Sequence, residues 1–210
     1  MTAELRELAE RVIRQEASAV ESLLQILNDE FFDVVSLLAK CRGKVVVTGI
    51  GKSGHVGRKM AASLASLGTP AFFVHATEAL HGDLGMIGQD DVVIAISNSG
   101  ETAEVIGLLP NLEMRRIPVI AITGNGTSTL ASRSYRALTV AVAEADPLGV
   151  APTSSTTSVL ALGDTLALLL SHLKGFSRAD FGFYHPGGAL GSVLRKTDWE
   201  RSGTDGQYSS

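Results

Sequence analysis

Five short apolar runs, mostly β-branched, constrain this chain more than any other feature: "VVVT" at 45–48, "AFFVH" at 71–75, "VVIAIS" at 92–97, "PVIAIT" at 118–123 and "ALTVAV" at 137–142. Such runs fit strands covered on both faces, whereas a strand with one wet face alternates apolar and polar residues. The intervening segments 54–67, 101–114 and 127–134 read as crossover helices. The expected fold is therefore α/β, a three-layer α/β/α arrangement around a five-stranded parallel sheet. The 210 residues, 45% of them hydrophobic, suit one such domain and leave no room for a second.

Leu5, Leu8, Val12, Val20, Leu23 and Leu27 recur at helical spacing among charges, which predicts an amphipathic helix over 3–27. A second helix follows Asn28, across Phe31 to Ala39. Residues 153–173 read as a long, nearly all-apolar helix opened by a capping Ser/Thr cluster. Such a helix is buried in the fold or between subunits. Together with the N-terminal helix it offers more apolar surface than one small sheet covers, so a homo-oligomer, a homotetramer, is expected. The expected units are an N-terminal helical segment at 1–42, the α/β domain at 43–195 and a flexible tail at 196–210.

With 18 Lys and Arg against 22 Asp and Glu, the net charge is −4 and no basic stripe forms, so no nucleic-acid partner is expected. Uninterrupted apolar runs such as "LALLL" fall far short of the roughly 20 residues of a membrane span, so no membrane partner is expected. The N-terminus lacks the basic start and continuous apolar run of a secretory signal. Together with a single cysteine, Cys41, this predicts a cytoplasmic setting and a packing role for that thiol.

The stretch "TGIGKSGHVGRK" carries two partial nucleotide signatures. A Walker A loop requires a glycine where Val46 stands, so that motif fails. Gly49, Gly51 and Gly54 do spell G-x-G-x-x-G between a strand and a helix, but the second strand ends in His75 rather than in the acid a dinucleotide ribose needs. Alone, the glycines are equally well a tight strand-to-helix turn. Two further loops, "ISNSGETAE" and "LGVAPTSSTT", also place hydroxyls just before helices. Loops leaving the carboxyl ends of parallel strands converge on one crevice, where free helix N–H groups favour a phosphate. Ser97, Asn98, Ser99, Thr102 and Ser53 are the expected phosphate contacts, and Lys52 adds a positive charge beside them.

With these loops on view, the chain resembles the sugar isomerase (SIS) domains, whose phosphosugar loop S-x-S-G-[ED]-[ST] appears as "SNSGET". More narrowly it resembles the D-arabinose 5-phosphate isomerases through "GKVVVTGIGKSGHVGRKMAASLASLGTPAFFVHATEALHGDLGM", "DVVIAISNSGETAEV", "DPLGVAPTSSTT" and "HPGGALG", over roughly residues 43–191. The resemblance implies the SIS fold, with flavodoxin-like strand order, and interconversion of D-ribulose 5-phosphate and D-arabinose 5-phosphate. That product is the entry to the octulosonic acid sugar of lipopolysaccharide and some capsules. It also implies a short form without the CBS modules that most members carry.

Aldose-ketose isomerisation passes through an enediol and needs a base over C1 and C2, with help for the oxygen that becomes negative, but no cofactor. Carboxylate candidates are Glu101 and Glu104, one helical turn apart, and Glu144 and Asp146 before "PLG". The resemblance selects Glu104 as the base, and Glu144 joins the catalytic set. Lys52 is expected to stabilise the enediolate. Among His55, His75, His81, His172 and His185, the resemblance makes His185 the ring-opening or proton-shuttling group, supplied across shared active sites. His81 is a second proton partner, and His172 is expected to pack or line an interface. Gly51, His75, Thr153 and Ser154 complete the expected substrate contacts. His75, His81, Asp83 and His185 match no compact zinc spacing, so no metal is expected. Alternatives are another SIS isomerase such as a 6-phospho-3-hexuloisomerase, a non-catalytic sugar-phosphate sensor, and a nicotinamide-dependent enzyme.

Overall fold

All five apolar runs become strands, in a computed structural model that describes residues 1–187. The end of the expected 43–195 unit and the expected 196–210 tail lie outside the described residues. In chain order the elements are α1 (Thr2–Glu21), α2 (Asp29–Ala39), β1 (Val45–Gly49), α3 (Gly51–Ser66), β2 (Ala71–His75), α4 (Ala76–Leu80), β3 (Val92–Ile96), α5 (Ala103–Ile106), α6 (Leu109–Met114), β4 (Val119–Thr123), α7 (Thr129–Arg133), β5 (Arg136–Thr139), α8 (Ser154–Leu173) and α9 (Arg178–Tyr184). The sheet is wholly parallel in the order β2-β1-β3-β4-β5. The expected three-layer architecture holds.

Strand side chains alternate between two apolar cores. Val45, Val47, Ile94 and Ile120 pack with Phe31 of α2, Met60 of α3 and Leu166 of α8. Val46, Val93, Ala95 and Ala121 pack with Ala79 of α4, Val105 of α5, Leu112 of α6 and Leu130 of α7. This is why each strand is apolar at nearly every position, and each large side chain so buried contributes about 1.5–3 kcal/mol.

Local chemistry shifts several expected boundaries. The helix expected over 3–27 ends as α1 at Glu21 and continues as a 3-10 turn, Ser22–Ile26, where the Ser22 hydroxyl donates back to the Ala19 carbonyl at 2.7 Å. Asn28 caps α2 by accepting the Phe31 N–H at 3.1 Å. The helix expected over 101–114 is two pieces, because Pro110, with no N–H to donate, restarts the chain in the first turn of α6. The strand expected to run to 142 stops at Thr139. The sequence pattern predicts no helix between β2 and β3, where α4 and a 3-10 turn, Asp83–Met86, are found.

By length and mean hydropathy α8 could cross a bilayer, which the short uninterrupted runs do not suggest. In the fold its Val159, Leu162, Leu166 and Leu170 are buried against the sheet. Gly163 lets α3 come close: a Cβ there would lie 2.8 Å from Met60 Cε. Lys59 of α3 pairs with Asp164. α1 lies over the outside of α8, with Leu8, Val12 and Ala19 turned inward and Leu5 and Ile13 exposed.

Candidate active site

The sheet order reverses between β1 and β3, and the loops leaving their carboxyl ends open a crevice there. A narrow cleft at this place is lined by Ser53 from the start of α3, Asn98 from the loop after β3, Thr123 from the end of β4, and Ser155 and Thr156 from the first turns of α8. Segments distant in sequence therefore bring hydroxyl and amide groups to one point. A larger groove opens at the other end of the sheet, lined by Lys44, Gly68, Phe72, Met86 and Tyr184. It holds none of the candidate hydroxyls, whereas the smaller cleft, floored by Val56, Ile96, Ile122, Val140 and Val159, carries Ser53 and Asn98 on its walls.

The loop after β1 turns at Gly51, whose φ of +56° is a left-handed conformation that favours glycine. Lys52 follows it, exposed on the first turn of α3, and half-buried Ser53 reaches the cleft. The dinucleotide-like glycines thus form the strand-to-helix turn of this crevice.

The "SNSGET" loop is fixed from within. Ser97, fully buried, has its Oγ 2.7 Å from Thr102 Oγ1 and accepts the Gly100 N–H at 3.1 Å. The Asn98 carbonyl accepts from Gly124 N at 2.9 Å, and the Gly100 carbonyl accepts from Leu130 N at 3.0 Å, which ties the loop to the one after β4. Gly100 has φ +69°, and a Cβ there would stand 2.0 Å from Ser128 Oγ. Of the expected phosphate contacts, Ser97 and Thr102 are engaged with each other, whereas Asn98 and Ser99 are exposed.

The carboxylates separate by their partners. Glu101 Oε1 accepts the Thr129 N–H at 2.7 Å, which caps α7 and holds its acid below the usual carboxylate range. Glu104, half-buried on the first turn of α5, has no such tie among the described residues. Glu144 Oε2 accepts from Thr153 N at 2.8 Å, Thr153 Oγ1 at 3.1 Å and Ser155 N at 3.2 Å. Burial works to raise the Glu144 pKa, but the donors from Ser155 and Thr153 outweigh it and hold the acid below its ordinary value. Asp146 closes its own loop, accepting from Ala151, Val150 and Leu148 N–H groups that hold it low as well.

The start of α8 departs by one register from the expected contacts. Thr153 caps the helix with its hydroxyl committed to Glu144 and to the Ala145 N–H at 2.8 Å. Ser154 is fully buried and points to the core with Ser158, its neighbour at i+4. The residues on the cleft are Ser155 and Thr156, which the sequence reading did not single out. A signal existed: Ser154, Ser158 and Leu162 form one helical stripe, and only another side can face the crevice.

Among the histidines, His75 ends β2 beside Gly49 of β1, with its Nδ1 buried and unpartnered among the described residues. His81 is exposed just after α4, and His172 is exposed on α8, not packed within its own chain. His185 lies far from its own crevice. α8, about 30 Å long at its 20 residues, leads away from the cleft. At its far end Lys174 Nζ donates to Thr69 Oγ1 at 2.9 Å, just ahead of β2. Phe176 stacks on Tyr184 there, and His185, stacked on Phe181 at 3.8 Å, follows next in the chain. Among the described residues no group of three His, Cys, Asp or Glu could hold a metal ion.

Fold and cleft together define a doubly wound α/β domain with a partly polar crevice at its switch point. The SIS domain profile matches residues 37–169, and the chain belongs to the SIS domain family. It is 55% identical over 187 residues, 89% of its length, to the arabinose 5-phosphate isomerase KdsD of Pseudomonas aeruginosa, and 49% identical over 205 residues, 96% of its length, to the protein of that name in Escherichia coli strain K12. It spans 57% and 62% of the lengths of those two relatives. A solved structure of the Escherichia coli CFT073 protein c3406 in complex with arabinose 5-phosphate has a TM-score of 0.85 and 49% identity, covering 89% of this chain and 100% of that one.

Proposed function

We propose that the chain is an aldose-ketose isomerase that interconverts D-ribulose 5-phosphate and D-arabinose 5-phosphate through an enediol. The observation that carries this reading is the 49% identity and full-length match to a protein solved with arabinose 5-phosphate bound. The convergence of Ser53, Asn98, Ser155 and Thr156 on one cleft supports it.

In the reaction, Glu104 takes the proton from C2 of the open-chain aldose. The electron pair forms the C1–C2 double bond as negative charge moves onto O1, where Lys52 stabilises it. A proton passes from O2 to O1, and Glu104 returns its proton to C1 to give the ketose. Ser53, Asn98, Ser99 and the loop held by Thr102 and Ser97 receive the phosphate, near the free N–H groups of the α3 start. Gly51 lets the α3 turn approach the sugar, His75 and His81 complete the pocket, and Thr153 and Ser154 serve as its frame.

His185 opens the sugar ring in a neighbouring protomer, since its own crevice is a helix length away. Shared sites need a homo-oligomer, and the reading is a homotetramer in the cytoplasm. The product feeds octulosonic acid synthesis for the cell envelope.

An assay of arabinose 5-phosphate and ribulose 5-phosphate in both directions, repeated with a chelator and with a 3-hexulose 6-phosphate, tests this reading. Turnover of the pentoses, unchanged by chelator, is expected. Turnover of the hexulose alone, or binding without turnover, overturns it.

A further inference from the structure

We propose that Gln15 and Glu16 of the N-terminal helix are positioning residues for this reaction, clamping the Glu144 loop and the first turns of α8 so that one wall of the cleft keeps its place. The inference rests on the isomerase reading above.

The two residues are neighbours on α1 but reach opposite ends of one segment. Gln15 Nε2 donates to the Glu144 carbonyl oxygen at 2.7 Å, with the Ala143 carbonyl at 3.4 Å beside it. Glu16 Oε2 accepts the Thr157 hydroxyl at 2.7 Å. Between these points lie the Glu144 carboxylate, with its three donors from Thr153 and Ser155, and the cleft-lining Ser155 and Thr156. Within the segment from Glu144 to Thr157 the Glu144, Asp146 and Thr153 contacts are all local, and Gln15 and Glu16 are the side chains of α1 that tie its two ends to another element.

The inward face of α1 would be apolar throughout if its only task were packing. Instead Leu8, Val12 and Ala19 are interrupted at 15 and 16 by a polar pair, both half-buried and both bonded across more than a hundred residues of chain. α1 also lies outside the stretch matched by the family profile, residues 37–169. The helix that the sequence suggests for subunit contact thus reaches the site as well. Neither side chain lines the cleft, so both act through the groups they hold.

The test uses the full chain and the variants Gln15→Ala, Glu16→Ala and Thr157→Val, with Glu16→Gln and Thr157→Ser as conservative partners that keep an acceptor and a hydroxyl. Because displacement by about 1 Å can cost on the order of 100-fold, Gln15→Ala and Glu16→Ala are expected to lower kcat for arabinose 5-phosphate by about tenfold, while KM moves less than about threefold. Glu16→Gln and Thr157→Ser should restore most of the rate, and Glu16→Ala with Thr157→Val should be no worse than the poorer single variant. Hydrogen exchange is read in parallel: the amides of Thr153 and Ser155 should exchange faster in the alanine variants, with the strands unchanged. Unchanged kcat and exchange, or a rate loss that Glu16→Gln does not recover, overturns the inference. Should the native chain turn over neither pentose phosphate, the isomerase reading fails by itself, and the exchange of these amides still decides whether α1 holds this wall.

Discussion

The Glu101 carboxylate accepts the Thr129 backbone N–H at 2.7 Å, and so joins the loop after β3 to the first turn of α7. One helical turn on, Glu104 carries no such tie among the described residues. Two glutamates that the sequence offers as equals are thereby distinguished: Glu101 is tied to α7, and Glu104, the proposed base, is not.

Substituting each by glutamine should separate them. A positioned general base contributes about 10²–10⁴-fold, so Glu104→Gln should lower kcat by about 10³ while sugar-phosphate binding, measured by titration, persists. Glu101→Gln keeps an acceptor for the Thr129 N–H and should retain kcat within about tenfold, by the same scale. Equal losses in steady-state assays would reverse the assignment.

Gly100→Ala should destabilise the fold by about 1–3 kcal/mol, because alanine is strained at positive φ and its methyl would meet Ser128 Oγ. Denaturant unfolding measures the loss. Inorganic phosphate should protect this variant from thermal unfolding less than it protects the native chain, since the displaced loop is the expected anion seat.

Glu144 links acidity to stability. Its folded pKa lies below the ordinary 4.5, so its contribution is present above that value and is lost as pH falls through the lower folded one. The melting temperature of the native chain should therefore exceed that of Glu144→Gln near neutral pH, by a margin that shrinks below pH 4.5. A margin that widens on acidification would contradict this.

Mixing His185→Ala protomers with Glu104→Gln protomers should restore activity that neither has alone, if subunits exchange during partial denaturation and refolding. Hybrids carry one intact composite site where a sound crevice meets a sound histidine. No recovery in purified mixed oligomers would contradict a His185 shared between protomers.

Strand positions were legible in the sequence because burial on both faces leaves a one-dimensional trace: "VVVT" and "VVIAIS" carry it at every residue. Crossover helices were legible in outline, and their breaks less so, since Pro110 suits the first turn of a helix but does not by itself say where the preceding α5 stops. Within the site, the loops could be read from glycines and hydroxyls, whereas the register of α8 hid which serine faces the cleft. The tie from Gln15 to Glu144 crosses 129 positions of chain, and no local pattern encodes such a contact. Where His185 sits was equally out of reach, because it follows from the direction of α8 rather than from "HPGG".

The direction of α8 also gives the protomer a polarity. Its crevice opens at one end of the sheet and its His185 stands at the other, like the socket and plug of a cable. Two copies laid antiparallel can complete both junctions at once and stop there, whereas copies stacked in the same sense leave one end of each kind open and invite a third. With His185 serving a neighbour's crevice as proposed, the assemblies that complete every junction are closed ones, antiparallel pairs or rings.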